Sequence, residues 1–354
     1  MQARSIRSLL VAAAVLSGAT APLAAQAPSV TVSGVGYAQY LYQFHSDSSL
    51  TPTGHQNNFD VTRAYLNVIG KFPAGLTTRV TIDVDGRKAA ANQLSFRLKY
   101  AYLAWTPEHS PLTFKLGEIH TPFIDWEEAL WDYRMQGTMP LERGGYLSSS
   151  DFGAGIDGTW AYDKVNMQVG LYNGETYSAA PGDQRKDIEG RVSVKLLNSD
   201  LPGRVGGLRI TGYGQYGKPT TGGKRERYLG MISYKSKLVT LAAEYAAVKD
   251  TTTGNGTVTP VADHTGRVIS GYGVLNIPHS KFALLGRVDL TDPNTASAAT
   301  NDRLTRIIGG VSYQVSSNLR LLADVDNVSR QGGNYNNAFN ATRTAGSFVG
   351  QFTF

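Results

Sequence analysis

From residue 28 to residue 354 the chain alternates apolar and polar residues with a period of two, in segments separated by Gly, Pro, Asn, Asp and Ser. A period of two is the side-chain pitch of a β-strand, so every segment needs ladder partners and two different environments for its faces. Val80, Ile82 and Val84 share one face of a segment whose other face carries Arg79, Asp83 and Asp85. Slipping that segment by one residue would put an arginine where valine belongs, so its register is fixed by the pattern itself. The same division sets Phe96, Leu98, Tyr100 and Tyr102 against Arg97 and Lys99, and Ile188, Val192, Val194 and Leu196 against Glu189, Arg191 and Lys195. It also sets Phe282, Leu284, Val288 and Leu290 against Arg287 and Asp289. Sixteen such segments can be counted, from the one that begins at Val30 to the one that ends at Phe354.

Alternation alone fits a soluble sandwich, with the apolar faces in its core, as well as a barrel with those faces turned to lipid. Three features favour the barrel. Tight connections (Pro73-Ala74-Gly75, Pro107 to Pro111, Asp163, Ser236-Lys237, Pro278-His279, Ser316-Ser317) mostly alternate with longer polar ones. That is the two-ended layout of a membrane barrel. The last strand places Phe348, Phe352 and Phe354 on one face, with Val349, Gln351 and Thr353 on the other. A chain that stops on an aromatic resembles bacterial outer-membrane barrels, whose final residue is recognised by the barrel-assembly machinery. Finally, no segment after the N-terminal one approaches the apolar length of a membrane-crossing helix, and a barrel needs none. The expected fold is all-β, a transmembrane antiparallel β-barrel of about 16 strands facing outer-membrane lipid and lipopolysaccharide.

Arg4 and Arg7 precede an apolar run from Leu9 to Ala25 that ends in Ala25-Gln26-Ala27, the pattern of a secretory signal peptide. Residues 1–27 are therefore set apart, and 28–354 are read as one barrel without an internal linker. The 34 basic residues lose two with the signal, which leaves a small excess over the 28 acidic ones. So mild a balance, without Lys/Arg clusters, gives no reason to expect nucleic-acid binding, yet it suits a lumen biased towards anions. With no cysteine the chain has no disulfides or thiolate metal sites, and its ladder must hold it together.

The longest connection, residues 122–151, is the third outer loop if the chain starts on the periplasmic side. It carries Asp125, Glu127, Glu128, Asp132 and Glu142 together with Arg134 and Arg143, while the early strands offer inward Arg63, Arg79, Arg97, Lys99 and Lys115. Opposed charged side chains set the ion preference of a pore, so loop and wall are expected to form a constriction. The alternative is that these charges simply solvate a wide lumen.

Within the loop, Thr121-Pro122-Phe123-Ile124-Asp125-Trp126-Glu127 and then Met139-Pro140-Leu141-Glu142-Arg143 resemble the PFG-x-E and x-x-ER pattern of the phosphate-selective porin O/P family. Pro122, Phe123, Glu142 and Arg143 match, and Ile124 stands where that family prefers glycine. The resemblance implies a sixteen-stranded, homotrimeric porin that lets small polar or anionic solutes diffuse through. It does not carry phosphate selectivity with it, because the family's lysine cluster and arginine ladder have no position-by-position match. Inward Arg191, Lys195, Arg209, Arg287, Arg306 and Arg320 share the lumen with Asp83, Asp85, Glu189, Glu244, Asp289, Asp324 and Asp326, whose charges largely offset theirs.

Two other readings are an adhesive or structural barrel and a barrel-embedded hydrolase. Sixteen strands leave a channel that an adhesin would have to plug. A hydrolase would need a nucleophile with a positioned base, and no H-E-x-x-H, G-x-S-x-G or Walker motif is present. The six histidines fall in connections or strand ends and read as solvated surface residues. Asp83 with Asp85 and Asp324 with Asp326 read as salt partners across strands rather than as a metal site, so neither enzyme, metal nor cofactor is expected.

Overall fold

The structure of the protein, a computed structural model, describes residues 27–46, 56–88, 94–177, 184–219, 223–253, 260–295, 303–331 and 342–354. The expected signal peptide lies outside them but for Ala27. The first eight strands are β1 (Ser29–Ser46), β2 (Asn57–Phe72), β3 (Leu76–Lys88), β4 (Leu94–Trp105), β5 (Leu112–His120), β6 (Ser150–Trp160), β7 (Val165–Tyr172) and β8 (Asp187–Leu197). The second eight are β9 (Gly207–Gly217), β10 (Arg225–Lys235), β11 (Val239–Thr253), β12 (Pro260–Asn276), β13 (Phe282–Asp292), β14 (Leu304–Gln314), β15 (Leu319–Arg330) and β16 (Arg343–Thr353). Each pairs antiparallel with its neighbours in sequence, and β1 closes on β16. Closure leaves no edge strand, so the ladder satisfies the backbone without water, as a membrane demands.

The turn end of the barrel is built from tight connections in which non-glycine residues take left-handed backbone angles: Ala74, His109, Asp163 and His279 all have φ between 56° and 66°. Trp105 Nε1 donates to the carbonyl oxygen of Ala74 (3.1 Å), tying one turn to the rim. On the outer surface Ile188, Val192, Val194 and Leu196 are exposed, as are Phe282, Leu284, Val288 and Leu290, while Arg191, Arg287 and Asp289 are buried inside. Rings pair near both rims, Trp105 with Phe114 and Phe282 with Tyr313 at the turn end, Tyr40 with Phe59 towards the other.

Phe348, Phe352 and Phe354 all lie on the outer face, and Val349 is buried inside. A Cβ on Gly36 would sit 2.1 Å from the ring of Phe352, and one on Gly34 2.2 Å from that of Phe354. The glycines of β1 thus give the terminal aromatics a flat bed across the closing seam.

One face is assigned differently from the simple alternation. In the β3–β4 pairing Ile82 meets Leu98 but Thr81 meets Tyr100, so Lys99 is an extra residue and the strand bulges there. A bulge shifts the phase of every later side chain. Phe96 and Leu98 face out as expected, whereas Tyr100 and Tyr102 turn into the lumen and Leu103 and Trp105 take the outer positions. A second switch falls at Gly117 of β5 (φ 125°), after which Glu118 and His120 turn inward.

Candidate functional site in the barrel lumen

Between β5 and β6 the chain turns into the barrel. It forms the helix α1 (Ile124–Trp131), one 3-10 turn (Arg134–Gln136) and the short helix α2 (Pro140–Arg143). Phe123, Ile124, Trp126, Leu130, Trp131, Met139 and Leu141 are almost fully buried. They pack on an apolar interior patch contributed by Leu229, Met231, Ala246, Val268, Ile308 and Val349, all on strands β10–β16. The loop therefore lies against one side of the barrel, held by the hydrophobic effect.

Inward cations complete the attachment by donating to loop carbonyls that no ladder satisfies. Lys235 Nζ reaches the oxygens of Ala129 (2.6 Å) and Leu130 (3.1 Å) in the last turn of α1, where the helix dipole favours a cation. Arg191 donates to Pro122 O (2.9 Å), Arg287 to Thr138 O (3.0 Å), Arg227 to Tyr146 O (3.1 Å) and Arg320 to Asp132 O (2.9 Å). Arg191, Arg287 and Arg320, three of the cations that read as a continuing basic stripe in sequence, thus work as clamps. Arg287 also pairs with Asp289 (2.7 Å) and Arg306 with Asp326 (3.3 Å).

The loop acids are neutralised mostly by arginines other than those of the early strands. Arg134, itself in the loop, bridges Glu128 (2.5 Å) and Glu142 (3.3 Å). Burial raises the Glu128 carboxyl, which Arg134 opposes; at Glu142 Arg134, Lys99, Arg63 and Ser149 together outweigh burial and hold the carboxyl down. Arg204, from the long turn between β8 and β9, reaches Asp125 (2.6 Å). Burial disfavours charge on Asp125, but His120, Arg204 and Lys115 together outweigh it and keep the carboxyl below the ordinary aspartate range. Asp132 lies 3.4 Å from Arg320, and Arg143 3.9 Å from Asp326. Glu127 is the exception: it is fully buried against Glu244 of β11, beside Tyr272 and the Arg287–Asp289 pair. Among the described residues no N–H or hydroxyl reaches the four oxygens of these two carboxyls, so the bond open to them is a proton shared between them. Burial, and then the neighbouring Glu244, push Glu127 well above the usual glutamate range.

Facing the polar side of the loop stands the wall of β2–β5, where the five early-strand cations converge. Arg63 (2.5 Å) and Arg97 (3.0 Å) share Asp83, and Lys115 pairs with Asp157. Arg79 donates to Asn67 Oδ1 (2.9 Å), Thr81 Oγ1 (3.0 Å) and His120 Nε2 (3.2 Å), and Lys99 donates to Ser149 Oγ. Among the described residues neither Arg79 nor Lys99 has a carboxylate partner. Among the described residues no ion pair joins Arg63, Arg79, Lys99 or Lys115 to the loop acids, and His120 lies 3.7 Å from Asp125. Because Arg79 donates to its Nε2, this ring is a neutral acceptor there. His120 is buried and stacked on Tyr100 at 4.0 Å between ring centroids. The reading of every histidine as a solvated surface residue is thereby corrected: the face switch at Gly117 carries His120 inside.

Tyrosines interleave with the cations on this wall. Arg97 lies 4.4 Å and Lys99 4.6 Å from the ring centre of Tyr177, Arg79 4.6 Å from Tyr100, Lys115 5.8 Å from Tyr102 and Arg63 5.9 Å from Tyr65. Sequence pattern places none of these rings, nor Arg204, in the lumen, and sets Tyr100 and Tyr102 on the opposite face. The periodicity of β2 could have placed Tyr65, but Tyr100 and Tyr102 were hidden by the bulge.

No protein-family model matches the chain, and no curated protein matches it in sequence. Solved structures do match in fold. OmpF of Salmonella typhi in complex with daunomycin superposes with a TM-score of 0.70 at 13% identity, over 92% of this chain and 97% of that one. An anion-selective porin from Comamonas acidovorans gives 0.67 at 13% identity, over 93% and 100%. OmpT of Vibrio cholerae in its trimer form gives 0.61 at 12% identity, over 93% and 100%. At such identities the likeness is one of fold. The chain has the fold of these outer-membrane porins, a closed sixteen-stranded antiparallel barrel, and its third long connection folds inside.

Proposed function

We propose that the protein is an outer-membrane porin through which small polar solutes diffuse along the space between the loop and the β2–β5 wall, with anions preferred over cations. The observation that carries the anion preference is the mismatch of charge across that space. The loop acids are countered by Arg134 and Arg204, whereas on the wall Arg79 and Lys99 have, among the described residues, only neutral hydrogen-bond partners. A lumen with surplus positive charge raises the local anion concentration.

The alternation of short and long connections orients the turn end to the periplasm. Phe348, Phe352 and Phe354 line the outer face of the last strand, which suits recognition by the barrel-assembly machinery before lipid and lipopolysaccharide surround the barrel. A homotrimer agrees with the trimer form of the Vibrio cholerae neighbour. The loop's resemblance to phosphate-selective porins, carried by Pro122, Phe123, Glu142 and Arg143, supports anion passage in general.

Reversal potentials across a planar bilayer in a potassium chloride gradient test the reading. The wild-type channel should favour chloride, and Arg79→Gln, Arg97→Gln and Lys99→Gln combined should move the potential towards potassium. An unchanged potential in the triple variant would overturn the role of this wall.

A further inference from the structure

The β2–β5 wall is more than a row of positive charges. Counting from the loop end, Tyr177 lies beside Arg97 and Lys99, Tyr65 beside Arg63, Tyr100 beside Arg79, and Tyr102 beside Lys115. From Arg97 to Ala104, which pairs with Lys115, this sequence covers about 23 Å of β4 at the usual strand rise. With the strands of such a barrel tilted by about 35–45°, cation and ring therefore alternate over about half of the depth of a bilayer core.

A wall meant only for small inorganic anions gains nothing from rings. Hydroxyls and amides would place the cations equally well and would stay hydrated, whereas a tyrosine exposes a flat apolar face. Tyr100 has a positioning role, because it is buried against Arg79 and the stacked ring of His120, which are themselves hydrogen-bonded. Tyr65, Tyr102 and Tyr177 differ from it in being only half-buried, and no hydrogen bond among the described residues engages their hydroxyls. Each leaves ring surface towards the lumen next to a cation. The anchoring charge is also local: Arg79 is only partly buried and has neutral partners among the described residues, and it stands directly opposite Tyr102 in the pairing of β3 with β4, 4.6 Å from the ring centre of Tyr100.

We propose that this wall is a binding track for aryl carboxylates, flat solutes whose carboxylate meets Arg79 or the Arg63–Arg97 pair while the ring stacks on Tyr65, Tyr102 or Tyr177. The inference rests on the porin reading and names the solute class that the same lumen favours. A solute moving along the track exchanges one ring and one cation for the next, so that no single site holds it tightly. Aliphatic carboxylates of equal charge and bulk meet the same cations but lose the stacking.

Benzoate and cyclohexanecarboxylate form the test pair, with chloride current through single channels as one readout and saturation-transfer NMR on the detergent-solubilised barrel as the other. Benzoate should reduce the chloride current at a concentration about two- to ten-fold lower than cyclohexanecarboxylate, as one stacking contact implies. The ratio of the two cancels any overall change of conductance. Tyr65→Leu, Tyr102→Leu and Tyr177→Leu together should bring the ratio to one, and the corresponding Phe variants, which keep the rings, should preserve it. Equal block by the two acids in the wild type would overturn the proposal, and so would a ratio that survives the leucine variants. A barrel that conducts chloride without discriminating overturns only the track. One that is silent in the bilayer yet gives stronger saturation transfer to benzoate overturns the channel and keeps the site.

Discussion

Gly117 has a φ of 125°, and a Cβ placed on it would stand 2.2 Å from the carbonyl oxygen of Ala101 in the neighbouring strand. Backbone cannot yield as a side chain can, and such angles cost a residue with a Cβ about 1–3 kcal/mol. Gly117→Ala should therefore destabilise the barrel by at least that amount, because the clash adds to the strain. Gly36→Ala makes a contact just as short, but with the ring of Phe352, which is exposed on the outer face and free to swing. It should cost less than about 1 kcal/mol, the range of changes that touch no buried feature. Equilibrium urea unfolding in lipid vesicles compares the two, and equal losses would contradict the distinction. These residues also mark what sequence could tell at this scale. The Gly34-Val35-Gly36 stretch already reads as a close approach between strands, since glycine inside a strand pattern has that meaning. Gly117 reads no differently, and its effect, sending Glu118 and His120 inward, depends on a backbone angle that spacing does not encode. The bulge at Lys99 is hidden in the same way: Phe96, Leu98, Tyr100 and Tyr102 alternate perfectly, yet the partner strand skips one residue and divides them between lipid and lumen.

At the scale of elements, α1 is the piece whose stability should respond to pH. Its Glu127 shares a dry site with Glu244, and two carboxyls so placed cannot both ionise cheaply. The docked loop holds the Glu127 proton more tightly than the undocked loop does. Its docking energy is thus fully present below the ordinary glutamate pKa of about 4.3 and is lost as pH rises through the raised value. Each unit of that shift amounts to about 1.4 kcal/mol. Hydrogen exchange of the amides of residues 127–132, corrected for the intrinsic rate, should show protection falling as pH rises in the wild type. Glu127→Gln, neutral at every pH, should flatten that dependence. A wild-type loop whose protection climbs steadily with pH would show that the Asp125–Arg204 pair, which weakens in acid, governs docking instead. The loop's length, its position and its acids were legible in the sequence, but its helix was not. Eight residues are too few to show a helical period, and Ile124, Trp126, Leu130 and Trp131 are buried on more than one side. Nor does residue type show that Arg191, Arg287 and Arg320 clamp carbonyls, because a cation facing water and one facing a carbonyl occupy the same alternating position.

The whole molecule combines a shell and a filling that depend on different forces. All sixteen strands were legible within a few residues, because a closed antiparallel ladder needs only period two and turns, both local properties. The filling was not, since Met231, Ala246, Val268, Ile308 and Val349 put apolar residues on an inner face that a water-filled lumen would make polar. In a strand such as β11, where Leu241, Ala242 and Ala243 run together, the pattern does not say which face the loop will cover. The backbone of residues 123–146 contributes no rung to the barrel ladder, so the shell should survive its removal. Replacing those residues with a short Gly-Ser linker should leave the sheet signal of the folded protein intact and raise single-channel conductance severalfold. It should also lower resistance to urea, since each large apolar side chain returned to water forfeits about 1.5–3 kcal/mol and the wall beneath is left wet. Conductance equal to that of the wild type would mean that the loop does not narrow the path at all. Loss of the sheet would mean that the ladder closes only around its filling, and the independence of shell and filling would have to be abandoned.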